Sequence, residues 1–349
     1  MSVSWNKKYD PTFIVEDIKR IRTLDANGKV SFKGFKLQEI RAILFSAVQF
    51  RIELPQTEKI ALLSKAVYAA AANKNMSVDH LKAEMSRGLR SWQKRSKKRY
   101  RLATSLSFRY APEIGSKRMG GAGIRFHKHF PKSIDRKAWG SISIDRDAKP
   151  NLKEGQFARV LVSVSAKSPM EATSIALDAL GLLRGIWNLR LNLPIAIRSS
   201  MHGPKQPVNE IRLGRVHTLH KPNGKPATMI LWYEPDFALP VMIKDLRSSM
   251  AELDRFEQRV RTKLRRNPHR EFIEDAIRRY CRALDEKKLD NAFLKLWAVL
   301  EAVTGTLEHR YDRTIRRATF LWPEPKRHRQ VLEHLRDHRN RAIHHTESP

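Results

Sequence analysis

Beyond Pro268, apolar residues recur at helical spacing almost to the end of the chain, broken only by short polar stretches. Segments 271–287, 289–304, 314–322 and 327–344 each read as one helix, with Pro268 closing off whatever precedes them. Connections this short leave consecutive helices little choice but to pack side by side. Residues 269–349 are therefore expected to form a small four-helix bundle.

The rest of the chain reads differently. Residues 37 to 94 are helical in pattern, with Ile40, Ile43, Leu44 and Val48 at helical spacing and an Ala-rich stretch over 67–72. The basic run Lys94, Arg95, Lys97, Lys98, Arg99 and Arg101 then leads into 102–110, where apolar and polar residues alternate as in a strand. A second strand-like run covers 156–166, and Ser168-Pro169-Met170-Glu171 marks a helix start, so a helix to Leu191 should follow. Asn223-Gly224 between 211–220 and 227–233 predicts a hairpin. Residues 243–267 carry many charges and a narrow apolar stripe of Leu246, Leu253, Phe256, Val260 and Leu264, which reads as a connecting helix. The expected fold class is α+β. It has a mixed α/β recognition or regulatory region over 1–240, a charged connector over 241–268, and the bundle over 269–349.

Charge narrows the partner. Against 36 Asp plus Glu stand 68 Lys plus Arg, a formal net charge of +32 on 349 residues. A compact chain carries such an excess most readily when a polyanion shares its surface, and nucleic acid is the leading partner. An anionic membrane would require a basic amphipathic anchor or a long apolar span. Neither is present: the stretch 175–187 is interrupted by Asp178 and Arg184, and residues 1–10 lack the apolar core of a secretion signal. With Cys281 as its single cysteine, the chain builds neither an internal disulfide nor a cysteine-rich zinc site, which fits a cytoplasmic protein.

The last expected helix contains Arg339-Asn340-Arg341-Ala342-Ile343-His344. Asn340 and His344 are four apart and share a helix face, while Arg339 lies about 100° round and must reach with its long side chain. Cleaving RNA without a metal needs a group that moves a proton to or from the 2'-hydroxyl or the leaving 5'-oxygen, and fixed positive charge on the transition state. His344 suits the first task, because an unperturbed imidazole titrates at about 6.5. Arg339 suits the second, as a planar fork that stays charged. Asn340 would orient the substrate or the imidazole. Glu301, with Trp297 and Ala298 a turn before it, is a carboxylate on an apolar helix. It serves either as a partner that orients Arg339 or His344 or as half of an ordinary ion pair.

Three stretches carry a resemblance to a known family: Phe293-Leu-Lys-Leu-Trp-Ala-Val-Leu-Glu301-Ala302, the basic helix around Ile315-Arg-Arg-Ala-Thr-Phe-Leu, and Leu335-Arg-Asp-His-Arg339-Asn340-Arg-Ala-Ile-His344. Together they resemble the HEPN family, in particular its Apea-like domains, whose motif is an Arg, then a polar residue, then a His, with four residues between the Arg and the His. The resemblance implies a metal-independent endoribonuclease that needs no cofactor and pairs as a homodimer, so that Arg and His residues line one shared cleft. It further implies a toxin or antiviral abortive-infection effector, restrained by a regulatory protein or released by a phage trigger. His345 stands where the family often has a small residue, so either His344 or His345 is the working imidazole.

Other basic groups are candidate RNA contacts. Arg310, Arg313, Arg316 and Arg317 repeat at three- and four-residue spacing on one expected helix face. The run 94–101, with Trp92 and Tyr100 beside it, combines phosphate contacts with base stacking, although such runs are more often plain solvated surface. Arg125, His127 and His129 alternate on a strand behind Gly120-Gly121-Ala122-Gly123. They form either an RNA-contacting edge or an ordinary turn and strand, and no ligand set completes a metal site around them. The rival to catalysis is a basic RNA- or DNA-binding protein that uses the bundle only to dimerise.

Overall fold

The computed structural model describes residues 3–25, 30–33, 36–52, 54–136, 156–192, 207–234, 237, 243–306, 310–320 and 322–344, with backbone alone for Ile343 and His344. The chain is α+β, and its contacts divide it into two compact units: residues 1–99 with 165–174, and residues 100–164 with 175–349.

The first unit contains β1 (Val3–Trp5), α1 (Pro11–Ile21), β2 (Arg22–Leu24), β3 (Val30–Phe32), α2 (Lys36–Ala47), β4 (Val48–Phe50), α3 (Gln56–Ala71) and α4 (Val78–Lys94). Helix α1 starts where Asp10 accepts a hydrogen bond from the Thr12 amide at 2.8 Å and Pro11 takes the first helical position. Ser77 caps α4 in the same way through the His80 amide. The helices converge on Ile18, Leu44, Met76, Leu81, Met85 and Leu89, all fully buried. The strands form two short antiparallel ribbons, β1 with β4 and β2 with β3. The helical reading of 37–94 holds for α2, α3 and α4, but β4 interrupts it, because β1 supplies the strand that Val48–Phe50 pairs with.

The second unit is built on a six-stranded sheet. Its strands are β5 (Lys98–Leu106), β6 (Lys117–Met119), β7 (Ala122–His127), β8 (Ala158–Ala166), β9 (Val216–His220) and β10 (Trp232–Tyr233), in the order β10-β9-β5-β8-β7-β6. Gly120 and Gly121 both have positive φ, 54° and 79°, and make the two-residue turn between β6 and β7. The strand expected over 102–110 thus begins earlier, and the hairpin at Gly224 forms with shorter strands than its sequence suggests.

One face of the sheet packs on α5 (Pro169–Leu191), where the Trp187 ring stacks on Phe126 at 5.8 Å and meets Phe108 edge-on at 6.0 Å. Helix α6 (Met250–Arg265) packs here too rather than merely linking two domains: Leu253 and Leu264 are buried, and the buried Glu257 carboxylate accepts from Trp187 Nε1 and pairs with Lys117 of β6.

The C-terminal helices are α7 (Arg270–Ala283), α8 (Leu289–Val303), α9 (Tyr311–Thr319) and α10 (Pro325–His344), close to the four segments read from the sequence. Helix α7 lies against α8, α8 against α9 and α10, and α9 against α10. The composition changes near 240 and 268 mark no division in the contacts, because α7 shares a core with α5. Gly185 leaves room for Ile277, whose Cγ2 would sit 2.7 Å from a Cβ placed there. Nearby, Arg184 donates two hydrogen bonds to Asp285, at 2.8 and 2.6 Å. Among the described residues no helix is long and apolar enough to cross a membrane.

Candidate functional site

Helix α8 sets Phe293, Trp297 and Glu301 on one stripe at four-residue intervals. Trp297 is buried, and its indole Nε1 donates to Glu301 Oε1 at 2.9 Å. The Trp297 ring lies 6.5 Å from that of Tyr311, the first residue of α9. Over the Tyr311 ring sits the Arg339 guanidinium of α10, its Cζ 4.7 Å from the centroid. Arg339 Nη1 in turn donates to Asn340 Oδ1 at 3.3 Å. Glu301, Trp297, Tyr311, Arg339 and Asn340 thus form one chain of contacts across three helices, and Phe293 adds the His338 ring at 5.2 Å.

Of the partners open to Glu301, Arg339 is not taken up. The Glu301 carboxylate is held by its own helix through Trp297, and Arg339 rests on an aromatic face instead. Arg339 consequently has no carboxylate partner among the described residues, whereas Arg336, one turn earlier, is tied to Asp312, Glu333 and Asp337. Arg336 bridges α10 to α9 through Asp312, and among the described residues no carboxylate compensates Arg339. His344 ends α10, so the backbone keeps it one turn beyond Asn340; its side chain lies outside the described residues, as does His345.

The basic face of α9 divides into two kinds of residue. Arg310, Arg313 and Arg316 are exposed opposite the buried Thr314, Ile315 and Ala318. Arg310 and Arg313 border a cleft of about 930 Å³ shared with His269, Arg279, Phe272 and Val303. Arg317 is committed elsewhere, donating to the Thr304 and Gly305 carbonyls at the end of α8.

In the first unit, Lys94, Arg95, Lys97, Lys98 and Arg99 are exposed, with Arg95 3.9 Å from Glu58. Neither aromatic beside the run is an open stacking platform. Tyr100 is buried, and Lys167 covers the Trp92 ring at 4.3 Å. Arg101, in the second unit, lies on the sheet, where it borders a separate groove with Arg118, Arg125 and His127. Burial and the neighbouring Arg125 push the His127 imidazole below its ordinary value, and its Nε2 is buried with no hydrogen-bond partner. Sequence reasoning picked out Arg125 and His127 from their alternation but missed Arg118, which the β6–β7 register sets opposite Gly123.

Among the described residues no three His, Cys, Asp or Glu side chains gather as a metal site. No family model, curated protein or solved structure matches the chain.

Proposed function

We propose that the chain is a metal-independent endoribonuclease of HEPN type, with Arg339, Asn340 and His344 of α10 as its reacting face. The observation that carries the reading is the Arg339 guanidinium, which has no carboxylate partner among the described residues, rests over Tyr311 and stands five residues before His344 on the same helix. An arginine fixed on an aromatic face keeps its donor fork free for a phosphate.

In this reading the RNA 2'-oxygen attacks the adjacent phosphorus and gives up its proton to a base. The bond from phosphorus to the 5'-oxygen breaks, and that oxygen takes up a proton. The products are a 2',3'-cyclic phosphate and a 5'-hydroxyl. His344 moves the proton, Arg339 stabilises the charge on the phosphorane-like transition state, and Asn340 orients the guanidinium it already contacts. Glu301 acts at one remove, by holding Trp297 under Tyr311.

Pairing of two such faces in a homodimer would bring two sets of these groups together. Exposed Phe320 and Trp322, 84% and 52% accessible between α9 and α10, offer apolar surface for a second copy to bury. The same resemblance supports a toxin or abortive-infection effector, and the single cysteine fits a cytoplasmic one.

Expression of the wild type beside Arg339→Ala and His344→Ala, followed by growth and RNA integrity, tests the proposal. Wild type alone should arrest growth and fragment RNA. No cleavage by any of the three would leave a basic nucleic-acid binder that dimerises through its helices, and equal cleavage by all three would overturn the roles given to Arg339 and His344.

A further inference from the structure

The second unit carries a groove on the sheet face turned away from α5. Along β7, Ile124 and Phe126 face the core, so Gly123, Arg125 and His127 face outward, and the β6 and β8 registers set Arg118 and Ser163 beside Gly123 on that same side. Two adjoining cavities open there, of about 350 and 200 Å³, and share Ser116, Arg125 and His127. Arg101 and Arg118 border the first, and the half-buried Tyr110 borders the second.

Among the described residues no Asp or Glu lines either cavity. Lys117 has its own carboxylates, Asp254 at 2.6 Å and Glu257 at 3.6 Å. Arg101, Arg118 and Arg125, by contrast, have no ion pair among the described residues. Three guanidiniums sharing one concavity repel each other unless an anion joins them. The His127 Nε2 is a second, independent sign, a buried ring nitrogen still lacking a partner.

We propose that this groove holds the backbone of single-stranded RNA, with phosphates on Arg118 and Arg125 and a base against Tyr110. The inference rests on the reading of the chain as an RNA-cleaving protein and adds where the substrate is held. The two cavities share Ser116, Arg125 and His127, so the arginines and Tyr110 border adjoining surface that offers a strand both phosphate and base contacts. Arginines without carboxylate partners beside an aromatic ring match the way proteins hold unpaired strands.

The test uses the full chain carrying Arg339→Ala, so that RNA binding is measured without cleavage. Anisotropy of a fluorescein-labelled uridine 12-mer is followed across a salt series, with and without Arg118→Ala plus Arg125→Ala. The sheet variant should bind at least tenfold more weakly, and the slope of log affinity against log salt should shrink by about 1.4, two phosphate contacts at ~0.7 each. Arg118→Gln plus Arg125→Gln, with an unchanged melting temperature, separates charge loss from misfolding. Unchanged affinity in both folded variants overturns the proposal, as does tighter binding to a 12-base-pair duplex. Because binding is read in a chain that does not cut, failure here is distinct from failure of the nuclease reading.

Discussion

The Arg339 guanidinium lies over the Tyr311 ring at 4.7 Å and has no carboxylate partner among the described residues. An ion pair would have neutralised it, while a ring face only steadies it. Arg339→Ala should therefore leave the fold intact and lower RNA cleavage by about 100-fold or more, the scale seen when one preorganised donor to a developing charge is lost. Arg339→Lys should rescue little, since an ammonium cannot present a planar fork. Tyr311→Phe should cleave nearly as well as wild type, and Tyr311→Ala should be intermediate. Initial rates on a labelled RNA, with circular dichroism as the folding control, measure all four.

Glu301 separates positioning from chemistry. Its carboxylate is occupied by Trp297 Nε1, and the amide oxygen of a glutamine accepts the same bond. Glu301→Gln should thus keep both the melting temperature and most of the cleavage rate. Glu301→Ala strands a buried indole N–H, a loss of about 1–3 kcal/mol. It should melt earlier and cleave more slowly. A Glu301→Gln chain that is fully stable and inactive would instead put the carboxylate in the reaction.

The helices were legible because their signals are local. The periodicity after Pro268 gave α7 to α10 nearly to their ends, and Ser168-Pro169 gave the start of α5. What escaped depends on partners distant in sequence. Helix α6 reads as a connector because charges dominate 243–267, yet one of them, Glu257, is buried against Lys117 and Trp187. Arg317 has the spacing of a binding residue, but its position beside the end of α8 turns it into a cap. Glu301 stands out in the sequence as a carboxylate on an apolar helix, but the spacing does not reveal that Trp297, one turn back, is its hydrogen-bond donor. Within the first 36 residues the short β1, β2 and β3 have no periodicity long enough to read.

The contact between α5 and α7 should be intolerant of added volume. A Cβ at Gly185 would sit 2.7 Å from Ile277 Cγ2 and 3.0 Å from its carbonyl oxygen, so Gly185→Ala should cost about 1–3 kcal/mol. Asp285→Ala leaves the buried Arg184 unpaired and should cost more, about 3–5 kcal/mol. Urea unfolding monitored by tryptophan fluorescence gives both values, and equal midpoints for wild type and variants would contradict the packing described.

Acid should destabilise the second unit partly through His220. Burial holds this imidazole below its ordinary value, with Nδ1 against the Gly224 carbonyl at 2.9 Å. As pH falls through ~6.5 the unfolded histidine takes up a proton that the folded one resists, so stability present above that pH is lost below it. The urea midpoint should drop between pH 7.5 and 5.5. His220→Gln should be less stable at neutral pH and show a shallower drop, and an identical pH slope would exclude His220 as a contributor.

The chemistry of the RNA ends tests the central claim most directly. RNA from cells expressing the wild type, and RNA treated with the purified chain in excess EDTA, is sequenced after enzymatic steps that tell cyclic phosphate from 3'-hydroxyl ends. The proposed mechanism predicts new 2',3'-cyclic phosphate and 5'-hydroxyl ends in both, absent with Arg339→Ala and His344→Ala. Ends bearing 3'-hydroxyl and 5'-phosphate, or cleavage that both variants retain, would contradict it.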